Sequence, residues 1–264
     1  MRDGASEALT PEQASAAAAG QKGMMPLAGH DGRARPFLDY VLSALADAGY
    51  EEVGLVVPPA SAAGSADPLR DYYTGRGRPS RVRVSFVVQP EARGTADAVA
   101  AAADWIAGRP FVVLNADNLY GVDALRALRN VNGPALPVYE RRDLVQSSGI
   151  PDARVASFAL LQVTPEGLLL DIIEKPGVDV MDTAGPAALI SMNCWRGDAD
   201  VVQACRDVPV SARGEFELPA AIRLAITRGV RVQAIPARGP VLDLSRREDV
   251  PFVTARLQGV EARP

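Results

Sequence analysis

The chain has 264 residues, 48% of them hydrophobic, and a net charge of −4. That length supports one sizeable core, and the acidic balance gives no electrostatic reason to expect nucleic acid or an anionic membrane as partner. Two cysteines, Cys194 and Cys205, are too few for a disulfide framework and read as buried thiols. No apolar run approaches the roughly 20 residues that span a bilayer, so the expected setting is the cytoplasm.

In chain order, Thr10-Pro11-Glu12 reads as a helix start, with Thr10 as N-cap and Pro11 in the first turn. Residues 1–20 contain no apolar strand. Lys22-Gly23-Met24-Met25-Pro26-Leu27 leads to a loop holding His30, the sole histidine, which leaves a Ser-His-Asp mechanism without support. Residues 35–49 read as an amphipathic helix stopped by Gly49. Residues 53–57 read as a buried strand. Residues 58–80 are a long loop with one helical turn near 69–73.

The centre of the chain is the run from Gln89 through Arg93-Gly94-Thr95-Ala96-Asp97 to Asn115-Ala116-Asp117-Asn118. A strand over 82–88, a small-residue turn, a helix and a second strand over 111–115 make a crossover between two parallel strands whose polar ends share one sheet edge. Open α/β sheets bind ligands at that edge. The helix start offers N–H groups to a phosphate, and the carboxylate of Asp117 suits a hard cation such as Mg²⁺.

Beyond it, 122–130 reads as a helix and 135–139 as a strand. Residues 156–163 and 168–173 form a hairpin around Thr164-Pro165-Glu166-Gly167. Residues 187–193 are a strand, 199–206 and 216–228 helices, 230–235 a strand, and 247–257 the last helix. Of 28 basic residues only Lys22 and Lys175 are lysine. In a chain so biased to arginine, each lysine either stands there by chance or answers a need for a compact ammonium on a flexible stem.

The motifs Lys22-Gly23-Met24-Met25-Pro26-Leu27, Arg93-Gly94-Thr95-Ala96-Asp97, Asn115-Ala116-Asp117-Asn118, Glu174-Lys175-Pro176, Gly214-Glu215-Phe216-Glu217-Leu218-Pro219 and Leu242-Asp243-Leu244 stand in the order seen in sugar-1-phosphate nucleotidyltransferases, and the chain resembles that family from Lys22 nearly to its end. The resemblance implies a Rossmann-like, GT-A-like α/β fold with a mixed, mostly parallel sheet and a small β-hairpin part for the sugar. It implies one domain, with a nucleotide half at about 1–134 and a sugar half at about 135–264. The reaction it implies joins a nucleoside triphosphate, with UTP or dTTP favoured, to a sugar 1-phosphate and releases pyrophosphate. Lys22 would neutralise the triphosphate, and Gln89, Gly94 and Thr95 would meet the nucleotide. Asp117 and Asp243 would share Mg²⁺, with Lys22 and Lys175 completing the catalytic set. Glu174, Lys175, Asn118 and Asn193 would serve the sugar phosphate. No macromolecular partner is implied, and self-association is left open.

One departure stands against this. The family opens with an apolar strand and a Gly-x-Gly-(Thr/Ser)-Arg-Met loop, whereas Met1-Arg2 resemble only the end of that loop, with Arg2 as its nucleotide contact. The expectation is a chain begun just inside the signature, with a weakened triphosphate cradle. The alternative function is therefore a relative that binds nucleotide sugar or sugar phosphate with little turnover. Plainer readings of single motifs also remain: Asp117-Asn118 as a turn, Thr95 as a helix cap, Glu174-Lys175-Pro176 as a strand end, Asp243 as a cap of the last helix.

Overall fold

Thr10 opens α1 (Pro11–Ala18): its hydroxyl accepts from Gln13 N at 3.3 Å and Gln13 Oε1 accepts from Thr10 N at 3.1 Å, the reciprocal pair of a capping box. This computed structural model describes residues 10–18, 22–59 and 67–264. A single turn at Lys22–Met24 precedes the hairpin of β1 (Pro26–Ala28) and β2 (Ala34–Pro36), which feeds α2 (Phe37–Asp47). Instead of the one-sided helix the periodicity predicts, every residue from Phe37 to Leu45 is buried. Its polar members have partners. Asp39 accepts from Tyr72 at 2.8 Å and Tyr73 at 2.9 Å, both on α3 (Pro68–Thr74), and Ser43 Oγ accepts from Arg263 N at 3.0 Å.

β3 (Glu52–Val57) and β4 (Arg83–Val88) pair in parallel. α4 (Thr95–Ala101) and α5 (Ala103–Ile106) lead on to β5 (Phe111–Leu114), then β6 (Asn118–Leu119), α6 (Val122–Asn130) and β7 (Ala135–Glu140). After α7 (Arg141–Ser148) and α8 (Asp152–Val155) comes the predicted hairpin, β8 (Ala159–Val163) with β9 (Leu169–Ile173). α9 (Val178–Ala184), β10 (Leu189–Ser191), β11 (Cys194–Gly197), α10 (Ala199–Asp207) and α11 (Leu218–Thr227) follow. β12 (Gln233–Pro236), β13 (Leu242–Asp243) and α12 (Asp249–Leu257) complete the chain.

The main sheet has seven strands in the order β5, β11, β7, β10, β8, β9, with β12 added to β7. Its pairings are antiparallel except that of β12 with β7, so the expectation of a mostly parallel sheet is overturned. Parallel neighbours need long crossovers, whereas a short turn such as Thr164–Gly167 returns the chain antiparallel. The expected crossover is corrected with it: β4 pairs with β3, and β5 pairs with β11 in the other sheet. The strand expected over 187–193 is interrupted. Ile190 lies opposite Tyr139 and Arg196 opposite Ala135, so the partner strand carries two extra residues, a bulge at Met192-Asn193 where Asn193 adopts φ 58°.

Neighbouring strand residues face opposite sides, and the core divides accordingly. Cys194, Leu160 and Tyr139 join Phe37, Leu42 and Leu257 on one side, while Trp195, Leu161 and Leu136 join Val99, Val201 and Ile222 on the other. Both cysteines are free and buried, and burial pushes the Cys205 thiol up to about 12. Among the described residues no helix is long and apolar enough to cross a membrane. β5 with β11 and β6 with β13 join the first half of the chain to the second.

Between β3 and β5 lies a cleft of about 1130 Å³, lined by both strands and by Leu38, Val99 and Trp105 from the helices above and below. β3, expected to be buried, is therefore mostly half-exposed.

Asp39 supplies a direct test of how α3 is held. Its pKa is raised, chiefly by burial, against the pull of the two tyrosine hydroxyls. A raised acid pKa contributes stability at pH below the ordinary carboxylate range, and that contribution is lost as pH rises through the folded value. Asp39→Asn should therefore gain on the wild type as pH is raised from about 4 to 7, read by urea unfolding. Asp39→Ala, which strands a buried hydroxyl, should cost about 2 kcal/mol. A wild-type-to-Asn difference that does not change with pH would refute the account.

Candidate active site

Asp117 and Asp243, far apart in sequence, meet because two short strands pair. β6 and β13 are antiparallel with Asp243 opposite Asn118, and Leu244 N donates to Asp117 O at 2.9 Å. Each carboxylate has its own cation. Lys22 Nζ, placed by the single turn at Lys22–Met24, donates to Asp117 Oδ2 at 3.0 Å. Arg154 Nη2 donates to Asp243 Oδ2 at 2.6 Å, and Ser245 Oγ donates to Asp243 Oδ1. Asp243 is buried, and that burial raises its pKa, with the charges of Asp117 and Asp249 adding to the rise and Ser245 and Arg154 opposing it. Asn118 is also buried. With its amide turned to suit its neighbours, it donates to Asp117 Oδ1 at 3.3 Å.

The segment holding Gln89, Gly94 and Thr95 is latched to the start of α11. Phe216 N donates to Arg93 O at 2.7 Å, Ala96 N to Phe216 O at 2.9 Å, and Leu218 N to Thr95 Oγ1 at 2.9 Å. Thr95 thus caps α11, a helix distant in sequence, as well as opening α4. Gly94 has φ 118°, and a Cβ there would lie 2.4 Å from Phe216 O, so only glycine fits. Gln89 Nε2 donates to Asp97 Oδ2 at 2.7 Å and Gly94 O at 3.2 Å, which bridges the strand end to the helix.

Glu174, Lys175 and Asn193 line the same large cleft as Asn115, Ala116 and Thr95. Lys175 and Asn193 adopt φ 46° and 58°, two of the three positive-φ non-glycine residues among those described. Such backbone strain is held in place by surrounding structure and collects at functional sites. Glu174 reaches into the cleft, where the walls around it raise its pKa by desolvation and the charge of Glu217 raises it further. Glu217 in turn accepts from Ser211 Oγ at 2.8 Å and Arg213 Nε at 2.9 Å.

Of the residues singled out from sequence, Lys22, Asp117, Asn118 and Asp243 form one cluster, while Glu174, Lys175, Asn193 and Thr95 form a second on the cleft wall. Arg2 lies outside the described residues. Asp243 does not cap the last helix, whose start has no side-chain cap; Asp249, in its first turn, accepts from Arg246 N at 2.7 Å. Sequence reasoning passed over Arg154 and gave Glu217 no role of its own. In a chain this rich in arginine nothing marks one of them, and only the fold brings Arg154 to Asp243.

The paired carboxylates have the oxygen chemistry of a Mg²⁺ site, and Mg²⁺ is commonly held by one or two carboxylates together with substrate phosphates. Among the described residues no group of three or more His, Cys, Asp or Glu could enclose a metal. By their oxygen chemistry Asp117 and Asp243 fit a cation whose remaining ligands are phosphate oxygens.

The carboxylate pair thus sits in a mixed α/β fold that also holds a large cleft. The chain belongs to the nucleotidyl transferase family, whose model matches residues 19–241. It is homologous to sugar-1-phosphate nucleotidyltransferases. It is 27% identical to a glucose-1-phosphate thymidylyltransferase of Actinoplanes sp., over 78% of this chain and 62% of that one. It is 25% identical to the UTP–glucose-1-phosphate uridylyltransferase AglF of Haloferax volcanii, over 90% and 88%. A bifunctional protein GlmU of Methanococcus vannielii is 24% identical over 87% of this chain, which spans 48% of that longer protein. The fold matches the structure of a UDP-glucose pyrophosphorylase complexed with UDP-glucose, at a TM-score of 0.67 and 17% identity over 89% of both chains.

Two measurements test this geometry. Gly94→Ala forces both a disfavoured φ and a backbone clash, and should cost about 3 kcal/mol or more, with faster amide exchange at Ala96 and Phe216. A melting temperature within error of the wild type would mean that the latch is not rigid. Glu217→Gln should move the carboxyl titration of Glu174 down toward the ordinary range, followed by ¹³C NMR; an unchanged midpoint would show that the two carboxylates do not sense each other.

Proposed function

We propose that the protein is a nucleotidyltransferase acting on a sugar 1-phosphate and a nucleoside triphosphate, with UTP or dTTP favoured. The observation that carries this reading is the meeting of Asp117 and Asp243 across β6 and β13, with Lys22 on one of them. A sugar-phosphate oxygen attacks the α-phosphorus in line; the new P–O bond forms as the bond from the α-phosphorus to the α,β-bridging oxygen breaks, and pyrophosphate leaves with that oxygen and its electron pair. The chemistry needs no covalent nucleophile on the protein, only neutralisation and alignment of two polyanions that repel each other. Asp117 and Asp243 would hold Mg²⁺, which when bound offsets phosphate charge.

Lys22, on a flexible stem and partly exposed, is suited to leave Asp117 for an arriving triphosphate. Lys175 and Glu174, set on the cleft wall by the turn after β9, suit the sugar side, the ammonium meeting phosphate and the carboxylate accepting from hydroxyls. Asn193 at the strand bulge lies beside them. The base would rest near Gly94 and Gln89. The names of the homologues, thymidylyl- and uridylyltransferases of glucose 1-phosphate, agree with a pyrimidine base and a hexose phosphate.

A second reading, a relative that binds nucleotide sugar without turnover, draws on the internal bonds that already occupy Gln89 and Thr95. The two readings part in one assay: pyrophosphate release from UTP or dTTP with glucose 1-phosphate and Mg²⁺, repeated in chelator. The transferase should turn over only with Mg²⁺, and Asp117→Asn and Asp243→Asn should each lose about a hundredfold or more in kcat. Lys175→Ala should chiefly raise KM for the sugar phosphate. Nucleotide-sugar binding that is equal in chelator, with no pyrophosphate formed, would establish the second reading.

A further inference from the structure

Asp243 meets a guanidinium that it does not own alone. Arg154 sends Nη2 to Asp243 Oδ2 at 2.6 Å and Nη1 to Asp249 Oδ1 at 2.5 Å, and the side chains of Arg154, Asp243 and Asp249 are only 8%, 2% and 14% exposed. A planar fork can serve two carboxylates at once, which an ammonium does less well. The helix that carries it is also pinned from elsewhere: Asp152 of α8 accepts from Arg141 Nε at 2.7 Å, and Arg141 Nη2 reaches Asp182 of α9 at 2.9 Å. The helix that carries Arg154 is thus also held by contacts outside the carboxylate pair.

This arrangement bears on how a cation reaches the carboxylate pair, and it rests on the reading of Asp117 and Asp243 as that pair. A divalent cation approaching Asp243 meets a positive charge already seated on Oδ2. At such range, in a site mostly closed to water, the repulsion is not screened away. The other acceptor, Asp249, lies at the first turn of α12 and pairs with the same guanidinium.

We propose that Arg154 is a resident counter-ion and positioning residue for Asp243, which it neutralises until a divalent cation arrives and then releases by shifting its weight to Asp249. Asp249 is the second berth that makes the exchange cheap, because the guanidinium never loses a carboxylate partner. Lys22 plays the corresponding part on Asp117, but from a flexible, partly exposed side chain that has the solvent to move into.

The test is titration of the full chain with Mn²⁺ alone, followed by electron paramagnetic resonance of the free ion, together with thermal melting in chelator and in Mn²⁺. Arg154→Met should bind Mn²⁺ roughly tenfold more tightly than the wild type, the scale expected when one competing unit charge is removed beside the carboxylate. Its melting temperature should be lower in chelator and should recover with Mn²⁺ by more than the wild type's does. Asp249→Asn should bind Mn²⁺ more weakly than the wild type, since the guanidinium then rests on Asp243 only; it carries the test if Arg154→Met does not fold. A purely structural ion pair would not move Mn²⁺ affinity in opposite directions in these two variants. Equal affinity in the wild type, Arg154→Met and Asp249→Asn, with binding abolished in Asp243→Asn, overturns the proposal and leaves the carboxylate pair standing. Equal binding in the wild type and Asp243→Asn removes the pair itself.

Discussion

A two-residue ladder between β6 and β13 sets the rest of the site. It brings two carboxylates, one of them buried, to where each raises the energy of the other, and such a pair persists only with compensating positive charge. That requirement explains why otherwise unrelated pieces of the chain converge there. The turn after α1 delivers Lys22, the short helix α8 delivers Arg154, and the segment after β13 delivers Ser245 and Asp249. The carboxylates are thus met by groups from three separate parts of the chain.

The second constraint is steric. Gly94 lies so close to the backbone of Phe216 that no side chain fits between them, and this contact ties the start of α4 to the start of α11. Thr95 reinforces it by capping a helix from the second half of the chain. A Gly-Thr dipeptide in a crossover turn suggests phosphate binding, and its N–H groups do stand at a helix start. Much of its hydrogen-bonding capacity, however, holds the two halves in register. The same residues thus shape the cleft wall whether or not a nucleotide is near.

How far the chain could be read in advance follows from where its information lies. The helix over 122–130 and the 156–173 hairpin were legible because apolar spacing and a Thr-Pro-Glu-Gly turn are local signals. Strand partnership was not, because the main sheet's other antiparallel pairs, such as β5 with β11 and β7 with β10, join segments far apart in the chain, and because the bulge at Met192-Asn193 hides two strands inside one apolar run. Helices α7, α8 and α9 escaped notice for a different reason. They are short, polar and fixed by the ion pairs of Arg141 with Asp152 and Asp182, and such pairs leave no periodic trace. The two lysines, set apart by their scarcity, lie one on the carboxylate of Asp117 and the other at a strained turn on the cleft wall.

That scarcity also shows why the two carboxylates are met by different cations. Asp117 is partly exposed and faces a lysine whose side chain is 43% exposed, a compact charge on a stem with many accessible rotamers. Asp243 is almost closed to solvent, and there a lysine would have to give up its hydration for one partner. The arginine keeps two carboxylates from the same buried position, so its desolvation is offset twice. Exchanging the two cations would put a strongly hydrated ammonium where water cannot reach and a rigid fork where movement is useful. The pairing of each cation with its carboxylate is thus dictated by depth in the protein.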